Sequence, residues 1–167
     1  MKMNVKYFNI TRKNLLIKEK FLKYVENILS SGDICMGKLC QEFEKKWAEI
    51  NGAKYCSLVS SGTDALILTV DALNIKGLVL TPCLSFVATP NAITLNRQKI
   101  LFCETDSNGN IDIKHAISRV CNQRIFDPVQ AILAVGMYGG LPDIENLQKL
   151  AISLHIPFIL DAAQCHL

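Results

Sequence analysis

From Tyr55 onward the chain alternates short apolar runs with amphipathic stretches, and this alternation limits the possible folds more than any other feature. The runs are Cys56–Ser60, Leu78–Thr81, Ile100–Glu104, Val129–Val135 and Ile156–Leu160. Between them the periodicity predicts helices over Thr63–Leu73, Pro90–Leu95, Asp112–Val120 and Pro142–Leu154. Short apolar runs separated by helices read as βαβ units, so the expected class is α/β with a mainly parallel sheet. Pro90 and Pro142 are each expected at a first helical position, where the missing N–H costs nothing. Thr105–Asn110 reads as a plain turn cluster, and Asp112 as an N-cap.

Upstream of the alternation the pattern is purely helical. Leu16, Ile17, Phe21, Leu22, Val25, Ile28 and Leu29 share one face, and Ser30-Ser31-Gly32 supplies a C-cap signal. A second helix places Leu39, Phe43, Trp47 and Ile50 on one side and Glu42, Glu44, Lys45, Lys46 and Glu49 on the other, with Asn51-Gly52 as its stop. Phe43 and Trp47 are expected in the core. The chain is thus expected to divide into an N-terminal helical segment, 1–54, and a larger α/β part, 55–167.

Composition narrows the function classes. Of the 167 residues half are hydrophobic and a fifth charged, which suits a globular protein with a real core. The formal charge of +3 comes from scattered lysines rather than a basic stripe, which argues against nucleic acid as a partner. Met1–Lys20 lacks a continuous apolar core of the secretory type, and no apolar run approaches membrane-spanning length, so a cytoplasmic location is expected. Seven cysteines, with no C-x-x-C pair, are expected as reduced thiols that mostly pack as small hydrophobes, and no metal site is expected. His115 and His155 are expected at the solvated surface, and His166 is given no catalytic part.

In open parallel sheets ligands collect beyond the carboxyl ends of the strands. The segments to inspect are therefore Ser61-Gly62-Thr63, Cys83–Thr89, Glu104–Asp106, Gly136–Gly140 and Asp161–His166. The turn from Ser60 into the helix beginning near Thr63 offers outward-pointing N–H groups suited to a phosphate or carboxylate. The same residues also fit an ordinary N-cap built on Ser61 or Thr63. Asp161, followed by the small pair Ala162-Ala163 and by Gln164, could balance the protonated nitrogen of a heteroaromatic ring.

Taken in order, these pieces resemble the PLP-dependent sugar aminotransferases of the DegT/DnrJ/StrS type, a branch of the fold type I aminotransferases. The carriers are Ser31-Gly32, Glu42-Phe43-Glu44, Gly52-Ala53, Ser61–Leu66, Phe86-Val87-Ala88-Thr89, Asn91-Ala92-Ile93, Asn110-Ile111-Asp112, Tyr138-Gly139 and Asp161-Ala162-Ala163-Gln164. The resemblance implies a three-layer αβα architecture, an incomplete fold type I large domain, with pyridoxal 5'-phosphate (PLP) as cofactor. It implies Ser61, Gly62 and Thr63 as donors to the cofactor phosphate, Phe86 stacked on the pyridine ring, Asp161 on the ring nitrogen and Gln164 on the ring hydroxyl. The implied partners are a nucleotide-linked keto sugar and glutamate or glutamine as amino donor, in a homodimer when full-length.

The resemblance also has gaps. It places the cofactor-binding lysine beyond Asp161, within a Ser-rich strand and loop, whereas this sequence ends at Leu167. The chain is therefore expected to be a truncated form without transaminase turnover of its own. The alternative is a non-catalytic pseudoenzyme that binds PLP weakly or complements a partner subunit; a family-type dehydratase is a weaker option. Gly136 stands where a His is common, Pro90 replaces a small residue, Asn74–Leu80 is short, and Val120–Asp127 reads as an insertion. Without the last strands of the family sheet, the Cys56–Ser60 strand is expected to be orphaned or forced against the Asp161 strand, exposing ladder edges.

Overall fold

A computed structural model describes residues 9–122 and 128–166. The start of the Met1–Lys20 stretch, most of Val120–Asp127, expected as an insertion, and the terminal Leu167 lie outside the described residues. The chain divides into two compact units, Met1–Leu58 and Val59–Leu167.

The first unit carries α1 (Ile10–Ser31) and α2 (Lys38–Ile50). Gly32 ends α1 in the left-handed conformation, at φ 75°, and returns its N–H to the Ile28 carbonyl at 2.9 Å. That conformation is why glycine follows the serine pair. The apolar face of α1 stands open, with Leu16 83% exposed and no buried residue along the helix. Phe43 and Trp47 stack with ring centroids 5.6 Å apart, one turn from each other on α2. Phe43 is 47% exposed and only Ala48 is buried on this helix, so the expected core position of Phe43 is corrected to a surface stack.

The second unit holds α3 (Gly62–Ala72), β1 (Leu78–Pro82), α4 (Ala88–Leu95), β2 (Lys99–Cys103), α5 (Ile113–Cys121), β3 (Val129–Val135), α6 (Ile144–Ser153) and β4 (Phe158–Asp161). The four strands form a parallel sheet in the order β2-β1-β3-β4. On one face, Leu66 and Val70 of α3 and Ala92 and Ile93 of α4 pack with Val79, Leu133, Val135 and Ile159. On the other, Ala116 of α5 and Leu147 and Ala151 of α6 pack with Leu80, Leu101, Ile132 and Ala134. Alternate residues of β3 thus serve opposite layers, as the period of two in a strand requires. The result is the three-layer αβα arrangement expected. The lateral direction of travel reverses after β2, and the crossover helix changes face with it, which right-handed connections demand.

Three expectations are corrected. Cys56–Ser60 is not a strand and forms no ladder with any described strand, which fits the orphaned alternative and not the pairing with the Asp161 strand; a strand exists only where a neighbour accepts its backbone groups, and here the Leu58 N–H goes instead to the Glu44 carboxylate at 2.8 Å. Pro90 is the third residue of α4 rather than the first, because the turn closed by the Thr89 N–H on the Phe86 carbonyl starts the helix earlier. Pro142 precedes the N-cap of α6, which is Asp143, whose side chain accepts from the Asn146 N–H. Asp112 does cap α5, accepting from the His115 N–H at 3.0 Å.

Candidate active site

The reversal of travel leaves a crevice at the carboxyl ends of β1, β3 and β4, where α/β folds hold ligands. A cavity of about 250 Å³ occupies it, lined by Gly62, Thr63, Leu66, Phe86, Ala88, Val135, Gly136, Met137, Asp161, Ala163 and Gln164. Five of the six residues singled out from the sequence therefore come together: Gly62, Thr63, Phe86, Asp161 and Gln164. The sixth, Ser61, adjoins the cavity without lining it.

Ser61 shows why. It is the N-cap of α3, accepting from the Asp64 N–H at 3.1 Å and donating its hydroxyl to the Asp64 carboxylate at 3.0 Å. The Ser60 hydroxyl also donates to Asp64, and these two bonds hold the Asp64 carboxyl below the usual carboxylate range. The N–H groups of Gly62 and Thr63 find no partner among the described residues. They sit at the positive end of an 11-residue helix, and a Cβ on Gly62 would meet nothing within 4 Å. An N-cap and outward-open N–H groups, alternatives in the sequence, coexist: Ser61 makes the cap, and the next two peptides remain open.

At the opposite wall, Asp161 is the last residue of β4 and half-buried. One of its carboxylate oxygens accepts from the Ala163 N–H at 3.1 Å, and the other has no described partner. Gln164 is oriented by the loop after β3: its side-chain oxygen accepts from the Tyr138 N–H at 2.8 Å, which leaves the amide NH₂ as its donor. Phe86, in the turn between β1 and α4, is 65% exposed, so it is not a core residue. The Gly136 N–H donates to the Asp161 carbonyl at 3.0 Å, tying the ends of β3 and β4 together.

Sequence reasoning missed the walls and the supports. Leu66, Ala88, Val135 and Asn110 have no expected part in the site, although Leu66, Ala88 and Asn110 fall within motifs that carry the resemblance; yet Asn110 is 2% exposed and bonds to the loop after β3. His115 is also corrected: it is half-buried, its Nδ1 accepts from the Glu104 N–H at 2.9 Å, and it lies 3.4 Å from the Cys103 sulfur. Among the thiols only Cys103 is fully buried, and Cys35, Cys83 and Cys121 are exposed, contrary to the expectation that most would pack inside. All seven are free, and no group of metal-ligating side chains occurs among the described residues. No helix among the described residues is long and apolar enough to cross a membrane.

Comparisons with known proteins agree with this architecture. Residues 15–167 match the DegT/DnrJ/EryC1/StrS aminotransferase family. The chain is 36% identical over 155 residues to a dTDP-4-amino-4,6-dideoxy-D-glucose transaminase of Shigella dysenteriae, covering 92% of this chain and 41% of that protein. It is 34% identical over 163 residues to a GDP-perosamine synthase of Escherichia coli O157:H7, covering 96% and 43%. A solved aminotransferase of the same family from Brucella abortus superposes with a TM-score of 0.91 at 21% identity, over 96% of this chain and 44% of that one. An E. coli GDP-4-keto-6-deoxy-D-mannose-3-dehydratase, solved with bound hydrated PLP, superposes with a TM-score of 0.74 at 25% identity, over 84% and 37%. The chain thus spans less than half the length of these relatives. The match over nearly all of its own length shows that it belongs to the DegT/DnrJ/EryC1/StrS aminotransferase family.

Proposed function

We propose that the cavity is the cofactor-binding part of a PLP-dependent nucleotide-sugar aminotransferase. The observation that supports it is the convergence of an open helix N-terminus, an exposed aromatic ring, a half-buried carboxylate and an oriented amide around one cavity of about 250 Å³. These are the groups that a phosphorylated, hydroxylated pyridine ring requires. The Gly62 and Thr63 N–H groups receive the phosphate, helped by the dipole of α3. Phe86 covers one face of the ring. The free oxygen of Asp161 accepts from the protonated ring nitrogen, and the Gln164 NH₂ donates to the ring hydroxyl. When bound, the cofactor's ring acts as the electron sink for moving an amino group.

In this reading the complete reaction passes an amino group from glutamate or glutamine to a keto sugar on a nucleotide carrier, in cytoplasmic polysaccharide or natural-product biosynthesis. The full-length protein acts as a homodimer. A second reading, PLP binding without turnover, rests on the cavity lining, which includes no lysine among the described residues. Borohydride treatment of the chain mixed with PLP separates the two. Cofactor fixed covalently to one lysine supports the catalytic reading. Cofactor that is retained before treatment and washes away after it supports binding alone, and no saturable retention contradicts both.

A further inference from the structure

We propose that Asn110, which does not reach the cavity, is a positioning residue that sets the orientation of the Gln164 amide. The loop after β3 needs an external support, because Tyr138 and Gly139 both adopt the left-handed conformation, at φ 55° and 84°. For tyrosine that conformation is disfavoured and persists only where its surroundings fix it. Asn110 brackets this pair from both sides. Its side-chain oxygen accepts from the Met137 N–H at 3.1 Å, and its NH₂ donates to the Leu141 carbonyl at 3.4 Å. The NH₂ nitrogen also lies 3.2 Å from where a Cβ on Gly140 would stand, so the side chain fills the inside of the loop.

Asn110 is itself fixed. Its N–H donates to the Asp106 carboxylate at 3.0 Å, and its carbonyl accepts from the Asp106 N–H at 2.7 Å. Tyr138, held between the two Asn110 bonds, donates its N–H to the Gln164 side-chain oxygen. The Met137 carbonyl, which shares a rigid peptide plane with the Tyr138 N–H, accepts from the Gly140 N–H at 2.8 Å, so the turn whose two ends Asn110 holds sets the direction of the Tyr138 N–H. That direction decides which end of the Gln164 amide faces the cavity. Removing Asn110 frees the amide to rotate and present its oxygen, which cannot donate.

The proposal deepens the PLP reading in its ligand, but its first readout does not depend on PLP. Amide hydrogen exchange of Tyr138 is compared in the unmodified chain, Asn110→Ala, Asn110→Asp and Gln164→Ala. Tyr138 protection is expected to fall by about tenfold in both Asn110→Ala and Gln164→Ala, the equivalent of one ordinary hydrogen bond. Asn110→Asp keeps the acceptor for Met137 and is expected to lose less; it also serves where Asn110→Ala does not fold. Unchanged Tyr138 protection in folded Asn110→Ala, or in Asn110→Asp if only that variant folds, overturns the proposal. The second readout is PLP affinity. Asn110→Ala and Gln164→Ala are expected to weaken it without adding in the double variant, whereas additive losses indicate a merely structural role and overturn the proposal. If the unmodified chain binds no PLP, the proposed function fails while the exchange result still decides the role of Asn110.

Discussion

The Cys165 sulfur occupies the space that a side chain on Gly136 would need. A Cβ built on Gly136 would overlap that sulfur, lie 2.9 Å from the Cys165 Cβ and lie 3.0 Å from the Gly140 carbonyl oxygen. The family's common histidine at this position is therefore incompatible with the present packing, and the departure noted in the sequence is matched by its neighbour. Burial and the nearby Asp161 carboxylate push the Cys165 thiol above its ordinary range, so it stays a neutral packing group.

Gly136→Ala is expected to lower stability by about 1–3 kcal/mol, the usual cost of overpacking. Urea denaturation midpoints check it. Adding Cys165→Gly should recover part of the loss, since it removes the sulfur and the Cβ but leaves the Gly140 carbonyl. No recovery in the double variant would mean that the two positions do not share this space.

Gly62→Ala separates binding from folding. Its Cβ enters open space beside the cavity, so the fold should tolerate it, with a change in stability within about 0.5 kcal/mol. PLP affinity should nevertheless fall, because the methyl group narrows the approach to the Gly62 and Thr63 N–H groups. Pyridoxal without its phosphate should bind far more weakly than PLP to the unmodified chain and should show little sensitivity to Gly62→Ala. Equal loss for both ligands would place the phosphate elsewhere.

Cys103 predicts an alkaline limit to stability. Desolvation, reinforced by Asp112, pushes its thiol up to about 12 in the folded chain. Below the unfolded thiol's pKa, about 8.5, both states keep the proton and nothing changes. Between that value and about 12 the unfolded state ionises first, so the stability contribution is lost as pH rises, by up to about 1.4 kcal/mol per pH unit. Stability measured from pH 8 to 10.5 should fall less steeply in Cys103→Ala than in the unmodified chain.

The sheet was legible because its evidence is local. Val129–Val135 is bounded as the apolar run predicts, and Gly32 and Asp112 end and begin helices where their chemistry says. Cys56–Ser60 misled because its composition suits a strand, while strand formation depends on a neighbour that no residue within the run reveals. The supporting place of Asn110 was hidden for a related reason. Asparagine after Asn108-Gly109 carries every mark of a turn, and its burial is decided by Met137 and Leu141, far along the chain. The start of α3 was half legible: the small residues announce a helix N-terminus, but only the geometry shows Ser61 on the cap and Gly62 and Thr63 open.

In the proposed function, Asp161, Gln164 and the open N-terminus of α3 form one PLP site. Equilibrium titration of PLP against the unmodified chain and Asp161→Ala, followed by cofactor absorbance, tests it most directly. Saturable binding at one site is expected, weakened about ten- to a hundredfold by Asp161→Ala, the worth of a hydrogen bond to a charged group. Absence of saturable binding, or equal affinity in the two proteins, would contradict it.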